Sequence, residues 1–292
     1  MKKKFIINIL SIILYLITGC GNKYDAETGS IADSSSVKNP ARIISLSPAV
    51  TEELYLLDAG NLLVANTFYC NRPPDARKKK KIGNMNDFDV ETALRLKPDL
   101  IFCTDLADKK KIRKLKQLGI TIMEFLTPEK FTDICTDFLR IGKAINKTEK
   151  AEAIIYAVKA DIASKKEKTQ SLPKKKVFIQ IGTKPLFTID RHYFINDYIE
   201  SGGGVSISKK AASGLFSRES VVAANPDVII ITAMGIASIE EKEIWKRYPT
   251  INAVKNNDIH IVDPDVFCNH TVSAFAESLK QIIAILHPEI KL

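Results

Sequence analysis

The sequence predicts an α/β protein in which two lobes with mostly parallel sheets are joined by one long α-helix. Short apolar runs alternate with helix-length amphipathic segments, the pattern of parallel strands covered by helices on both faces. A long segment in the middle of the chain contains no glycine or proline, and one helix–turn–strand unit occurs in each half. With 292 residues, of which 45% are hydrophobic, the chain is large enough for two conventional cores.

The first 40 residues are predicted to lie outside the folded body. Lys2 to Lys4 precede an apolar run, Phe5 to Ile17, that is shorter than the roughly 20 residues needed to span a bilayer. This pattern predicts a signal peptide over residues 1–19. The sequence Ile17-Thr-Gly-Cys20 matches a bacterial lipobox, so we expect lipidation of Cys20; an uncleaved anchor is the alternative. Residues 20–40 are mostly small and polar, which predicts a flexible tether.

The formal net charge of +9 invites a nucleic-acid interpretation. Removal of residues 1–19 takes away three lysines and no acids, which leaves 40 basic against 34 acidic side chains, or +6. The remaining lysines form scattered clusters without the interleaved aromatic residues of a single-strand binding groove. We therefore expect solvated lysine-rich faces and no nucleic-acid partner. The leader predicts a protein that is lipid-anchored to the cell-envelope membrane and faces the periplasm or the cell exterior.

The folded body is predicted to begin near Ala41. In the first half, β-rich apolar runs predict four strands and the segments between them predict helices; Ser47-Pro48 is typical of a helix start. The predicted strands are Arg42–Leu46, Leu62–Asn66, Asp99–Cys103 and Thr121–Phe125, and the helices Glu91–Lys97, Lys109–Leu118 and Phe131–Ile145. The second half repeats this pattern with strands at Val177–Ile181, Asp227–Thr232 and His260–Asp263, and helices at Tyr193–Glu200, Glu240–Tyr248 and Val272–Leu286.

The segment from Lys143 to Leu172 separates these halves and lacks glycine and proline. Apolar residues recur in it at three- and four-residue spacing, from Ala151 to Ile162, so a helix over residues 147–170 has one apolar face. From Lys147 to Thr169 such a helix would be about 34 Å long, enough to connect two lobes. An ordinary surface helix of a single domain fits this pattern equally well.

An internal repeat favours the two-lobe interpretation. The segments Glu91 to Pro98-Asp99 and Glu219 to Pro226-Asp227 share a glutamate, an apolar helical turn, Pro-Asp and a buried strand. Proline ends each helix and aspartate begins each strand. We therefore predict an N-terminal lobe over residues 41–146 and a C-terminal lobe over residues 171–292. Ligands of such sheets bind outside the carboxyl ends of the strands, here in a cleft between the lobes.

Several motifs carry a family resemblance from about Ala41 to the end of the chain. They are Arg42-Ile-Ile-Ser-Leu-Ser-Pro-Ala-Val-Thr-Glu52, Tyr69-Cys-Asn-Arg-Pro-Pro74, Glu91 through Pro98-Asp99-Leu-Ile, and Trp245 with Ala253-Val-Lys-Asn and Ile259-His-Ile-Val-Asp263. In order and spacing they resemble the periplasmic-binding-protein family of cobalamin and iron-siderophore ABC importers. The resemblance implies two Rossmann-like lobes, a rigid connecting helix and a metal chelate held in the cleft. It also implies that Glu91 and Glu219 dock onto basic residues of the permease, whereas a lone glutamate at a helix start is commonly a surface residue favoured by the helix dipole.

Loops at the cleft supply the candidate ligand contacts. Aromatic side chains suit a flat macrocycle or a catechol, and arginines suit carboxylates or phosphate. The candidates are Ser47, Tyr69, Arg72, Met85, Asn86, Phe187, Arg191, His192, Phe216 and His270. Either His192 or His270 could approach the metal of a chelate, but a loop histidine is commonly just solvated. The dispersed histidines predict neither a closed metal site nor a cofactor, and Trp245 is expected to pack.

Four cysteines follow Cys20. Cys103 and Cys135 lie in a strand and a helix, where we expect small buried hydrophobic residues. Cys70 and Cys268 are predicted in cleft loops of opposite lobes, where a disulfide would lock the cleft, so none is expected.

Three functions remain open. No nucleophile elbow, Walker loop or dinucleotide fingerprint is present, which argues against an enzyme. The family resemblance implies a receptor for an ABC permease, which we expect to be monomeric. Cobalamin is the first choice of ligand because Tyr69 to Pro74 most resembles that branch, with a ferric siderophore or haem as alternatives. An exported hydrolase and a structural lipoprotein with a degenerate cleft are the alternatives of other classes.

Overall fold

A computed structural model describes residues 39–232 and 236–292 of the chain. The predicted signal peptide, Cys20 and all but the last two residues of the predicted tether lie outside these ranges. Within them, no helix combines the length and the apolar character needed to cross a membrane.

The first half forms a five-stranded parallel sheet with the order β3-β2-β1-β4-β5. Its strands are β1 (Ile43–Ser45), β2 (Leu63–Asn66), β3 (Lys80–Lys81), β4 (Leu100–Thr104) and β5 (Thr121–Phe125). The helices are α1 (Pro48–Leu56), α2 (Val90–Arg95), α3 (Lys109–Gln117) and α4 (Phe131–Ala144), with short 3-10 turns at Gly60–Leu62 and Pro74–Lys78.

Both faces of this sheet are buried. Ile43 and Phe102 point into one apolar cluster, while their neighbours Ile44 and Ile101 point into another on the opposite face. Alternate residues of one strand therefore bury against different helices, which explains why the strands are continuously apolar rather than alternating. The first lobe has the predicted α/β architecture.

The connecting helix α5 spans Thr148–Thr169 and contacts α4 on one side. A side chain at Gly142 would place its Cβ 2.7 Å from the Cβ of Ala151, so glycine permits the close crossing of α4 and α5. Later in its course α5 packs against helices of the second half. The opposite side of α5 faces solvent, where the side chain of Tyr156 is 79% exposed.

The second half forms a mixed sheet around the long strand β6. Its strands are β6 (Lys175–Gly182), β7 (Phe187–Thr188), β8 (Gly204–Ser206), β9 (Val228–Ile231) and β10 (Ile259–Ile261). The β6 strand pairs in parallel with β8 and β9, β9 pairs in parallel with β10, and only β7 is antiparallel among these strands. The helices are α6 (Ile195–Ser201), α7 (Arg218–Ala224), α8 (Ile236–Trp245), α9 (Asn252–Lys255), α10 (Pro264–Phe267) and α11 (Val272–Leu286).

The sequence repeat is also a structural repeat. Helix α2 ends before Lys97 and α7 ends before Asn225, and both residues have positive φ angles, 46° and 48°. The Pro-Asp pair follows in each case. Asp99 then accepts a hydrogen bond from the backbone N–H of Arg42 at 2.9 Å, and Asp227 from that of Lys176 at 2.9 Å. Each aspartate thus ties the start of its own strand to the start of the central strand of its lobe.

The two lobes share one apolar core. A single cluster contains side chains from both halves, including Leu54 of α1 and Phe138 of α4 together with Phe275 of α11. At its edge the rings of Phe131 and Phe275 lie 4.3 Å apart, and the backbone N–H of Phe131 donates to Asp197 at 2.8 Å. Because burial of apolar surface opposes separation, the lobes are held together by more than α5.

Candidate functional site

A pocket of about 240 Å³ lies between the lobes at the carboxyl ends of the first sheet. Each of the five strands of that sheet is followed by a loop or helix start that lines it. The lining residues from this side are Pro48, Ala49, Tyr69, Asn71, Arg72, Met85, Leu106 and Thr127. The second lobe contributes Tyr193, Pro264, Asp265, Cys268, Asn269 and His270. The cleft therefore lies where the general rule for open α/β sheets places ligands.

Much of the first lobe's contribution is apolar and unusually exposed. Tyr69 is 55% exposed and Leu106 is 58% exposed, and Leu126, beside the lining residue Thr127, is 71% exposed. Large apolar side chains grouped at a concave site indicate a surface that binds something. Sequence reasoning missed Leu106 and Thr127, although both come directly after predicted strands, which is the signal that identified Tyr69.

Two helix caps position the residues that the second lobe contributes to the pocket. Asp263 caps α10 by accepting from the backbone N–H of Asp265 at 2.9 Å, and Thr271 caps α11 by accepting from that of Ala274 at 3.0 Å. Short polar side chains at these positions satisfy N–H groups that have no partner within the helix. The residues between the two caps, Cys268 to His270, are thereby held towards the pocket.

Arg72 is the one lysine or arginine among the described residues that line the pocket, and its charge is already matched. Its Nε donates to Oε2 of Glu52 at 3.0 Å and its Nη2 to Glu277 at 3.1 Å. Partial burial alone would lower the pKa of Arg72, but the two carboxylates together raise it. The pocket therefore offers little unpaired positive charge to an anionic ligand.

His270 enters the pocket as a neutral ring. Burial lowers the pKa of His270 to about 4, although Asp105 acts in the opposite direction. The ring of Phe194 packs edge-on against it with centroids 6.0 Å apart. Neither ring nitrogen has a hydrogen-bond partner among the described residues, so one nitrogen lone pair stays available to a ligand.

Two further ionisable groups of the pocket, the Cys268 thiol and the Tyr193 hydroxyl, are protonated near neutral pH. Burial raises the pKa of the Cys268 thiol to about 11 and that of Tyr193 to about 12. Met85 accepts a hydrogen bond at its sulfur from the Thr104 hydroxyl at 3.1 Å. The pocket thus combines apolar, aromatic and neutral polar groups with the paired Arg72 and the acidic side chain of Asp265.

Four of the ten predicted contact residues line the pocket: Tyr69, Arg72, Met85 and His270. The remaining six lie elsewhere, and three of them have identifiable structural roles. Ser47 is buried, and its hydroxyl caps α1 by accepting from the Val50 N–H. The ring of Phe216 stacks on Phe178 within the second lobe. His192 is exposed and its Nδ1 lies 3.1 Å from Glu129.

The other three predicted contacts are also outside the lining of the pocket. Asn86 occupies an exposed turn in which its backbone N–H donates to Asn84. Phe187 belongs to β7 and forms an isolated bridge with Leu215, and Arg191 is exposed. Phe187 and Arg191 follow the first strand of the second lobe, but the antiparallel turn to β7 changes the direction of the chain there.

All four cysteines of the described residues are free. Cys70 lies in a loop that lines the pocket, but its own side chain is fully buried and accepts a hydrogen bond from the Thr51 hydroxyl at 3.2 Å. Cys103 and Cys135 are buried as expected, and burial raises their pKa values to about 12 and about 11. Cys268 alone among the four lines the pocket.

The two candidate docking glutamates are exposed in the first turns of short helices. Glu91 lies in α2, which Asp89 caps, and Glu219 lies in α7, which Ser217 caps.

Next to Glu219, Arg218 pairs with the buried Glu241 and stacks over the ring of Trp245 at 4.5 Å. Trp245 is fully buried and donates to Gln180 at 2.7 Å, which confirms its packing role.

Within residues 39–232 and 236–292, no group of three or more His, Cys, Asp or Glu side chains is arranged to hold a metal ion.

Comparison with known proteins agrees with this architecture. The family model described as periplasmic binding protein matches residues 43–266. An uncharacterized ABC transporter substrate-binding lipoprotein of Bacillus subtilis, YvrC, is 27% identical over 309 residues, which cover 96% of this chain and 96% of that protein. A vitamin B12-binding protein of Photorhabdus laumondii is 29% identical over 196 residues, 66% of this chain and 71% of that protein.

A solved structure shows the same fold. A possible iron-binding, periplasmic solute-binding protein from Staphylococcus epidermidis has a TM-score of 0.75 and 26% sequence identity, and the match covers 86% of this chain and 100% of that chain. The family match covers most of both lobes and the lining residues of the pocket as far as Asp265. The chain therefore belongs to the periplasmic binding protein family.

Proposed function

We propose that this protein captures cobalamin, or another corrinoid, between its lobes and delivers it to the permease of an ABC importer. The observation that carries the choice of ligand is the electrostatic character of the pocket. Its one guanidinium, that of Arg72, is paired with Glu52 and Glu277, and its histidine is neutral. A corrin ring carries mainly uncharged amide groups at its periphery, so it needs hydrogen-bond partners and apolar contact rather than unpaired cations.

The lining supplies both kinds of contact. Asn71, Asn269 and Thr127 offer amide and hydroxyl groups, and Tyr69 and Leu106 offer exposed apolar surface. At about 240 Å³ the pocket is smaller than a macrocycle, so one edge of the ring would enter it. The rest would lie across the exposed side chains at its mouth.

A ferric siderophore or haem is the alternative ligand. Catecholate chelates and the haem propionates are anionic, and sites for such groups commonly use unpaired arginines. Arg72 could meet that need only by giving up a carboxylate partner. His270 gives haem some support, because a neutral imidazole is a common ligand of its iron.

Calorimetric titration of the mature protein with cyanocobalamin, haem and several ferric siderophores tests the proposal. We expect saturable one-to-one binding of cyanocobalamin and weaker or absent binding of the anionic chelates. Tight binding of a ferric siderophore alone would identify that chelate, and not cobalamin, as the ligand. Binding of none of them would contradict capture of a metal chelate.

The hydrolase alternative gains no support from the pocket. Cys268 and His270 line it together, but a thiol nucleophile requires a lowered pKa, whereas burial raises that of Cys268 to about 11.

We propose that the protein is anchored through a lipid on Cys20 and docks to the permease through Glu91 and Glu219. The exposure of both glutamates, at equivalent places in the two lobes, supports this docking.

A further inference from the structure

The carboxyl group of Glu52, in α1, lies next to two lining residues of the pocket and accepts hydrogen bonds from both lobes. Glu52 as a whole is only 5% exposed. Arg72 of the first lobe donates to it through Nε at 3.0 Å and Nη2 at 3.3 Å. From the second lobe, Asn269 donates to this carboxylate through Nδ2 at 2.8 Å. The hydroxyl of Ser273 donates to it at 3.0 Å, and that of Thr271 at 3.5 Å.

Two of these donors, Arg72 and Asn269, are lining residues of the pocket and face each other from opposite lobes. Both reach the same oxygen, Oε2 of Glu52. We propose that Glu52 is a positioning residue that fixes the separation of these two walls, so that the pocket is formed before the ligand arrives. This inference rests on the proposed ligand-binding function of the pocket.

The physical reason is the cost of rearranging this group. Because every partner of Glu52 is a donor, movement of either wall would leave a buried carboxylate short of hydrogen bonds, which is unfavourable. A ligand that binds a preformed pocket loses less free energy to ordering of loops. The contact between Arg72 and Glu277 also crosses between the lobes, but the Glu277 side chain is 45% exposed and that pair is weakened by solvent.

The test compares Glu52→Gln with the control Glu149→Gln, a change at an exposed glutamate of α5 outside the lining of the pocket. Glutamine keeps the size of Glu52 but can accept through only one oxygen. We expect Glu52→Gln to weaken cyanocobalamin binding by about tenfold or more, as expected for loss of a buried charge-assisted hydrogen bond. We also expect faster hydrogen exchange of the backbone amides of residues 69–72 and 269–273. Glu149→Gln should change affinity by less than about twofold.

If Glu52 only stabilises the fold, Glu52→Gln should lower the melting temperature but leave the affinity of the folded protein and the hydrogen exchange of these loops unchanged. That result would overturn the proposal. If Glu52→Gln does not fold, Ser273→Ala removes one donor outside the pocket lining and should give a smaller loss in the same direction; unchanged affinity and exchange would overturn the proposal. If the unaltered protein binds no chelate, the proposed function fails, while the exchange comparison still decides whether Glu52 holds the two loops.

Discussion

Lys81 donates a hydrogen bond from Nζ to Oδ1 of Asn66 at 2.8 Å, inside the loop that carries Tyr69 and Arg72. The same ammonium group donates to the carbonyl oxygens of Thr67 and Ala76, both at 3.1 Å. Burial lowers the pKa of Lys81. One half-buried cation thus holds both ends of the loop between β2 and β3.

We expect Lys81→Met to loosen this loop. Methionine fills similar space but leaves several acceptors without a donor, which should cost about 2–3 kcal/mol of unfolding free energy and weaken ligand binding. Lys80→Met is the matched control, because Lys80 is the exposed neighbour in β3. Denaturant unfolding and calorimetry of both variants check this. Equal effects of the two substitutions would show that the internal hydrogen bonds of Lys81 do not support the loop.

Glu53 is expected to make stability depend on pH. Burial, followed by the charges of Asp137 and Glu52, raises its pKa well above its usual value of 4.5, while the backbone N–H of Val272 acts in the opposite direction. Its Oε1 has no hydrogen-bond partner among the described residues. As the pH rises above about 4.5, the unfolded chain releases this proton before the folded protein does, so the folded state loses stability relative to the unfolded one.

Glu53→Gln removes this titration. The variant should therefore gain stability relative to the unaltered protein as pH rises from about 4.5, by up to about 1.4 kcal/mol per pH unit until the folded protein also ionises. Urea unfolding between pH 4 and pH 8 measures the difference. Glu240→Gln, at an exposed position, is the control. A difference between Glu53→Gln and the unaltered protein that stays constant across this range would contradict the raised pKa.

Docking makes a separate prediction for Glu91 and Glu219. Replacing both with alanine should abolish uptake of the ligand in cells, because contacts with the basic residues of the permease are lost, and should leave ligand affinity unchanged. Glu149→Ala is the control, since Glu149 is also an exposed glutamate in the first turn of a helix, α5. A loss of affinity in the double variant would place these residues at the binding site instead.

The proposed lipid anchor predicts the behaviour of Cys20→Ser. Without the thiol no lipid can be attached, so the protein should move from the membrane fraction to the soluble or secreted fraction while its ligand affinity is kept. Fractionation and immunoblotting check this. Retention of the variant in the membrane fraction would favour the uncleaved-anchor alternative.

Much of the fold could be predicted because its signals are local. Val272–Leu286 is a helix with the predicted bounds, and the Pro-Asp repeat marks equivalent units in both lobes. Other elements have little local signal. The strand β3 has only two residues within a run of lysines, and β7 has two residues whose partner is set by a turn. Pairing across the sheet, rather than the intrinsic preference of these residues, makes them strands.

The candidate site was predictable in its place but only partly in its residues. The rule about strand ends located the pocket, and Tyr69 follows from it. The matching of Arg72 by Glu52 and Glu277 depends on partners up to 205 positions away along the chain, which no local pattern reveals. For Ser47, the sequence pattern allows two interpretations. A serine before a proline is equally typical of a helix cap, and in the structure Ser47 caps α1.

The most direct test of corrinoid capture in this pocket is a calorimetric titration of cyanocobalamin into three proteins side by side: the unaltered chain, Leu106→Ala and Leu118→Ala. Both leucines are exposed in the first lobe, at 58% and 54%, but only Leu106 lines the pocket. We predict one-to-one binding to the unaltered protein and to Leu118→Ala, and about tenfold weaker binding to Leu106→Ala, as expected when about 1.5 kcal/mol of apolar contact is lost. Absence of binding to the unaltered protein, or equal affinity for all three, would contradict the account.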